Sequence, residues 1–262
     1  NSSQIPYRSR YSSKDCGGKT DLHATGVTDV LQLFAPSATV YGYDSDHISS
    51  TGGPDNPMSS SFSPKIYIGT VSLGYAYDNK YTNKYESVDA AFDNYIYNTG
   101  VTAFINAGNL QNDADRQPKA TIHSPGKAAN AITVGAADPY LQYSPTGSLG
   151  YNYLQYSCHI NPETGAPKPE IMNLAGFYDA VFPSEYGHSF NGTSSSTPFS
   201  AAMAAVLMSK NSFIKGHPEV VKPIFLTSTA GHVFNNRDTD GGAAPGIPSF
   251  DLMAYSKGYS GY

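Results

Sequence analysis

The segment from Phe190 to Met208 reads FNGTSSSTPFSAAMAAVLM. A Gly-Thr-Ser turn leads through further small hydroxyl residues to Pro198, then into an alanine-rich apolar stretch. The pattern predicts a buried helix with one exposed hydroxyl, Ser194, at its entrance. A serine held there becomes a nucleophile when the chain also supplies a base and an oxyanion site. Taken alone, the tripeptide reads first as a capped helix start. Other chemistry-bearing groups are sparser. Arg237-Asp238-Thr239-Asp240-Gly241-Gly242 gathers oxygens of the kind Ca²⁺ takes, so a structural calcium is conceivable, but a polar turn is the plainer reading. His47, His123, His159, His188, His217 and His232 show no metal-ligand spacing and read as surface or core residues. His188 is close enough to Ser194 in sequence to line a cleft.

Short apolar strands alternate with helical patterns along the chain, which argues for an α/β fold with a mostly parallel sheet. Ala24 to Leu33 carries Val27, Val30 and Leu31 at helical spacing and ends near Ala35-Pro36. Ala38 to Tyr43, Lys65 to Val71, Val101 to Ile105 and Ala131 to Ala137 read as strands. Ser87 to Tyr97 reads as a helix through Val88, Ala91, Phe92 and Ile96. His217 to Thr227, with Pro218 near its start, reads as a later helix. Open α/β sheets bind ligands at the carboxyl ends of their strands. Ser72-Leu73-Gly74 and Asn106-Ala107-Gly108-Asn109 both fall at such ends and suit a substrate cleft.

The whole chain, residues 1–262, is expected to form one domain. Charged residues are only 14%, against about 25% in a typical soluble protein. Tyr, Gly, Ser and Asn fill the gap, giving a polar, weakly charged surface more familiar outside cells than inside them. The expected setting is therefore secreted or extracellular. A net charge of −5 gives no electrostatic reason to expect nucleic acid or an anionic membrane as partner. No apolar run approaches the roughly 18 residues needed to span a bilayer. The start at Asn1, without Met or signal-peptide pattern, suggests a processed or excised chain. Cys16 and Cys158 permit one disulfide or stand as two separate thiols. Asn1-Ser2-Ser3 and Asn191-Gly192-Thr193 match the glycosylation acceptor pattern, although a sugar at the second would block the Ser194 turn.

In order along nearly its whole length, the chain resembles the subtilisin-like serine proteases, or subtilases. His23-Ala24-Thr25-Gly26-Val27, continuing to Ala35-Pro36-Ser37-Ala38, resembles the family's His-Gly-Thr helix and Ala-Pro-x-Ala strand entry. Ser72-Leu73-Gly74 resembles the strand end that pairs with a substrate peptide. Asn106-Ala107-Gly108-Asn109 resembles the turn carrying the oxyanion asparagine. Ala128 to Asp138 and Lys168-Pro169-Glu170-Ile171 resemble further family markers. Asn191-Gly192-Thr193-Ser194 through Pro198 is similar to the nucleophile signature, and Gly246 to Ala254 to the closing segment.

The resemblance implies a three-layer subtilisin-like fold with helices on both faces of a mostly parallel sheet. It also implies acyl transfer: Ser194 as nucleophile, His23 as base, and the Asn109 amide with the Ser194 N–H as oxyanion donors. Ser72, Leu73, Gly74 and Tyr75, with Asn106, Ala107 and Gly108, would flank the pocket for the residue before the cleaved bond. The implied partners are protein or peptide substrates held largely by main-chain pairing. No cofactor is required.

The sequence departs from the family's pattern in two places. The family runs Asp, His, Ser in chain order, but only Asp15 and Asp21 precede His23, and no apolar strand carries either one. The expectation is that the Asp-bearing strand lies before Asn1, on an N-terminal fragment of the same precursor, removed by nicking, or otherwise outside this sequence. Asp15 as the acid, or loss of the acid in a degenerate binding or scaffold protein, stand as alternatives. Ser195-Ser196 also gives Gly-Thr-Ser-x-Ser-x-Pro, which resembles the acid-acting sedolisins. Those carry aspartate at the oxyanion position, where this chain has Asn109.

Overall fold

The computed structural model describes residues 11–13, 22–43, 63–74, 84–108, 122–137, 159–160, 167–174, 190 and 192–228. Four parallel strands form the sheet that organises them: β3 (Ile68–Val71), β4 (Thr102–Asn106), β5 (Ile132–Ala137) and β8 (Ile171–Leu174), adjacent in that order. β1 (Tyr11–Ser13) pairs in parallel with β2 (Val40–Gly42), and β6 (His159–Ile160) pairs antiparallel with β7 (Pro167–Lys168). The helices are α1 (Leu22–Phe34), α2 (Ser87–Thr99), α3 (Thr193–Lys210) and α4 (Pro218–Thr227).

Alternation along the strands builds the layers. In β4, Phe104 joins a core made with Val30 of α1, Phe199 and Met208 of α3, and Val221 and Phe225 of α4. Its neighbours Ala103 and Ile105 point the other way, into a second core with Phe92, Tyr95 and Ile96 of α2. Both faces of the sheet are thus covered, as expected of a parallel sheet. Phe104 is completely buried and its ring lies 5.0 Å from that of Phe225. Burying such a side chain contributes about 1.5–3 kcal/mol.

The ends of α2 follow from local chemistry. The Glu86 N–H donates to Asp89 Oδ2 at 2.8 Å at the start. Gly100, at φ 71°, closes the other end with its N–H on Ile96 O. β4 then begins two residues later. The sequence reading of these elements holds within a few residues. β1, β6, β7 and β8 were not expected: β1 is three polar residues paired to β2, β6 and β7 are two residues each, and β8 is only four residues long.

A buried charge cluster ties the far end of this sheet to α4. Lys168 Nζ donates to Glu170 Oε1 at 2.6 Å and to Ala128 O at 2.7 Å. Lys222 Nζ reaches the same Glu170 oxygen at 2.8 Å and Ala131 O at 2.8 Å. The second Glu170 oxygen accepts from the Thr133 N–H at 2.8 Å. Burial alone would raise the Glu170 pKa, but the two ammonium groups outweigh it and hold the carboxyl below its ordinary value. Burial pulls Lys168 the opposite way from its usual range, downward.

Between the two parallel sheets lies a mostly apolar cavity of about 760 Å³, lined by residues of both β2 and β3 together with Leu31, Phe34 and Ala205. Neither His23 nor Ser194 lines it.

Candidate active site

α3 starts at Thr193, so Ser194 lies in its first turn. Gly192 precedes it at φ 76° and ψ −167°, a backbone conformation that glycine adopts readily. The helix is buried from Thr193 to Ala204, small hydroxyl residues included. Its hydroxyls bond back along the chain: Ser195 Oγ to Gly192 O at 2.9 Å, Thr197 Oγ1 to Thr193 O at 2.7 Å, and Ser200 Oγ to Ser196 O at 2.9 Å. The small polar residues therefore enter the core with their hydrogen bonds made.

Ser194 is the exception: it is buried, not exposed as the pattern predicts, and its hydroxyl points across to α1. Ser194 Oγ lies 2.8 Å from Nε2 of His23, a residue 171 positions away. His23 sits in the first turn of α1 with an exposed side chain. Phe190 meets its ring edge-on, with centroids 5.5 Å apart and planes at 70°. Gly26 makes room for Phe190, since a Cβ there would stand 2.6 Å from the phenyl Cδ2. Phe190 has no signal in the sequence pattern beyond its place beside the Ser194 turn.

The carboxyl ends of β3 and β4 meet beside this pair. The strands are in register at Val71 and Ile105, so Ser72 and Asn106 emerge side by side. Ser72 Oγ donates to Ser194 O at 3.2 Å. That carbonyl is the one Pro198 would have bonded in a regular helix, had Pro198 an N–H. Asn106 is buried, and the Ala107 N–H donates to Val134 O at 3.0 Å, which fixes the turn onto β5. Gly108 follows at φ 97°. Asn109, Tyr75, His188, Asp15, Asp21, Cys16, Cys158 and the Arg237 to Gly242 turn lie outside the described residues. Among the described residues, no group of three or more His, Cys, Asp or Glu side chains is placed to hold a metal ion.

The site thus joins a hydroxyl at a helix start, an imidazole within hydrogen-bond reach, and two adjacent strand ends. The model of the subtilase family matches residues 16–247. The chain belongs to the subtilase family. Membership places it among the serine proteases. Solved structures agree with the fold. This subtilase is similar to the prenylagaramide maturation protease PagA, with a TM-score of 0.62 and 17% identity over 93% of this chain and 84% of that one. It is also similar to a cold-adapted subtilisin-like serine proteinase, with a TM-score of 0.59 and 17% identity over 97% and 85% of the two chains. Sphericase aligns with a TM-score of 0.51 and 19% identity over 83% and 70%. No curated protein sequence is significantly similar to the subtilase.

One histidine of the subtilase had no role in the sequence pattern. His123 packs against both Gly74 and Gly108, and its N–H donates to Ala107 O at 3.1 Å. No helix among the described residues is long and apolar enough to cross a membrane.

Proposed function

We propose that this chain is a serine endopeptidase working through an acyl-enzyme. His23 Nε2 takes the proton of Ser194 Oγ as that oxygen bonds to the scissile carbonyl carbon. The carbonyl oxygen becomes an oxyanion, met by the Asn109 side-chain amide and the Ser194 backbone N–H. The carbon–nitrogen bond then breaks and His23 returns the proton to the leaving amine. Water, activated by the same imidazole, releases the acyl group. The Ser194 N–H is among the first amides of an 18-residue helix, which have no partner within the helix and sit at its positive end.

The observation that carries this reading is the 2.8 Å approach of His23 Nε2 to Ser194 Oγ. Supporting it, Ser72, Leu73 and Gly74 lie beside Asn106, Ala107 and Gly108 at the strand ends, where a substrate peptide would pair. The family resemblance assigns these residues, with Tyr75, to the pocket for the residue before the cleaved bond. The protein works on peptides or proteins in a secreted setting and needs no cofactor.

The carboxylate that orients His23 comes, on this reading, from an N-terminal fragment of the same precursor. The cavity lined by both β2 and β3 supports the idea, since a strand entering there would join the two parallel sheets. Replacing Asp15 or Asp21 by Asn should then change kcat by less than about threefold, far from the roughly 10⁴ lost with a triad acid. A loss of that larger size in either variant would place the acid in this chain instead.

A fluorophosphonate probe tests the main claim on the complete protein. Labelling mapped to Ser194 and abolished by Ser194→Ala is the expected result. Absence of labelling under all conditions would leave the fold as a binding or scaffold module.

A further inference from the structure

The imidazole of His23 is met twice by one short stretch of chain. Ser194 Oγ lies 2.8 Å from its Nε2. Phe190, four positions before Ser194, stands at 70° to the imidazole plane with ring centroids 5.5 Å apart. That separation and tilt fall in the range where aromatic rings attract each other beyond the area they bury. Gly192 lies between the two residues at φ 76°, where a residue with a side chain would be strained.

The phenyl ring is fixed independently of His23. Phe190 is buried and belongs to the core that holds Val30 of α1 with Phe199 and Met203 of α3. It also fills a notch on α1. Gly26 lies three residues after His23, and so on the same side of the helix. A Cβ there would stand 2.6 Å from Phe190 Cδ2 and 2.8 Å from Cγ and Cε2. Glycine is among the poorest helix formers, so its place inside α1 answers to the phenyl ring. His23, by contrast, is exposed. Exposed side chains exchange rotamers within nanoseconds unless contacts hold them. A ring anchored in the core and set against an exposed imidazole is a stop to its rotation.

We propose that Phe190 is a positioning residue: its ring holds the His23 imidazole in the rotamer that directs Nε2 at Ser194 Oγ. This rests on the reading above that His23 is the base. Phe190 acts through His23 and takes no part in the proton transfer. Without the phenyl ring, the imidazole spends part of its time turned away from the hydroxyl. Only the fraction facing Ser194 takes the proton. An aromatic pair of this kind shifts such an equilibrium by about 2- to 12-fold.

The test follows labelling of Ser194 by a fluorophosphonate over a range of probe concentrations, which separates the limiting rate of acylation from probe binding. Phe190→Leu keeps apolar bulk in the core and removes the ring. It should lower the limiting rate about 3- to 10-fold and leave the half-saturating probe concentration unchanged. Phe190→Tyr, which keeps the ring, should recover the rate. In His23→Ala, whose slow labelling is followed over hours, adding Phe190→Leu should change nothing further, because no imidazole is left to orient. A loss of the same size in both backgrounds, a loss confined to probe binding, or Phe190→Tyr as slow as Phe190→Leu overturns the inference. If the wild-type protein is not labelled, the peptidase reading fails separately, and the crystal structure of Phe190→Leu decides this one. Nε2 turned beyond hydrogen-bond reach of Ser194 Oγ supports the inference. A single imidazole rotamer kept at 2.8 Å contradicts it.

Discussion

Ser72 Oγ donates a hydrogen bond to the carbonyl oxygen of Ser194 at 3.2 Å, in the place left open because Pro198 has no N–H to give. One proline inside α3 thus links the Ser194 backbone to the end of β3. The carbonyl is buried in the first turns of a helix, where an unmade hydrogen bond is costly. On the proposed mechanism, the strand end that flanks the substrate and the nucleophile share this one hydrogen bond.

Ser72→Ala should therefore destabilise the protein by about 1–3 kcal/mol, the cost of an orphaned buried acceptor. It should also slow acylation of Ser194. Pro198→Ala restores a donor to the same carbonyl, so in that background Ser72→Ala should cost clearly less. Urea unfolding of the four members of this double-mutant cycle measures the coupling. Strict additivity would show that the two residues do not share the carbonyl.

The Lys168–Glu170–Lys222 cluster gives a prediction with a pH sign. Glu170 titrates below its ordinary value in the folded protein. Its stabilisation is therefore full above the ordinary carboxylate range and is lost as pH falls through the lowered folded value. Glu170→Gln leaves Lys168 buried beside a neutral amide and should cost about 3–5 kcal/mol near neutral pH. The difference between wild type and Glu170→Gln in urea midpoint should shrink at acidic pH. A difference that persists unchanged there would assign the loss to packing.

Asp29 on α1 behaves in the opposite sense. It is buried, and that burial raises its pKa to about 7. A raised folded value favours the neutral acid, so this group penalises folding progressively as pH rises from the ordinary carboxylate range to about 7. Asp29→Asn should raise the melting temperature at pH 8 and leave it nearly unchanged at pH 4. Equal shifts at both values would contradict a titrating Asp29.

Local patterns made much of the fold readable in advance. Alternation through Val101 to Ile105, the Val88, Phe92 and Ile96 spacing, and the glycine after Thr99 each act over a few residues, so β4 and α2 stand close to where the pattern put them. β8 was hidden because Ile171–Leu174 is too short for a periodic signal and exists by pairing with β5. Ser194 and His23 were legible as types in family order, and the fold brings them to 2.8 Å. His123 was not legible. Its packing depends on two glycines, one 49 positions before it and one 15, that only the fold places against its ring. Phe190 and the Ser72 hydroxyl were missed for the same reason: their partners, His23 and Ser194, are far along the chain.

The central claim is that His23 activates Ser194. The measurement is the pH dependence of Ser194 acylation by a fluorophosphonate in the wild-type protein and in His23→Ala. The account predicts acylation at neutral pH that collapses by several orders of magnitude in His23→Ala. An optimum near pH 4, with His23→Ala as reactive as wild type, would contradict it and assign the proton transfer to carboxylates, as in the sedolisins.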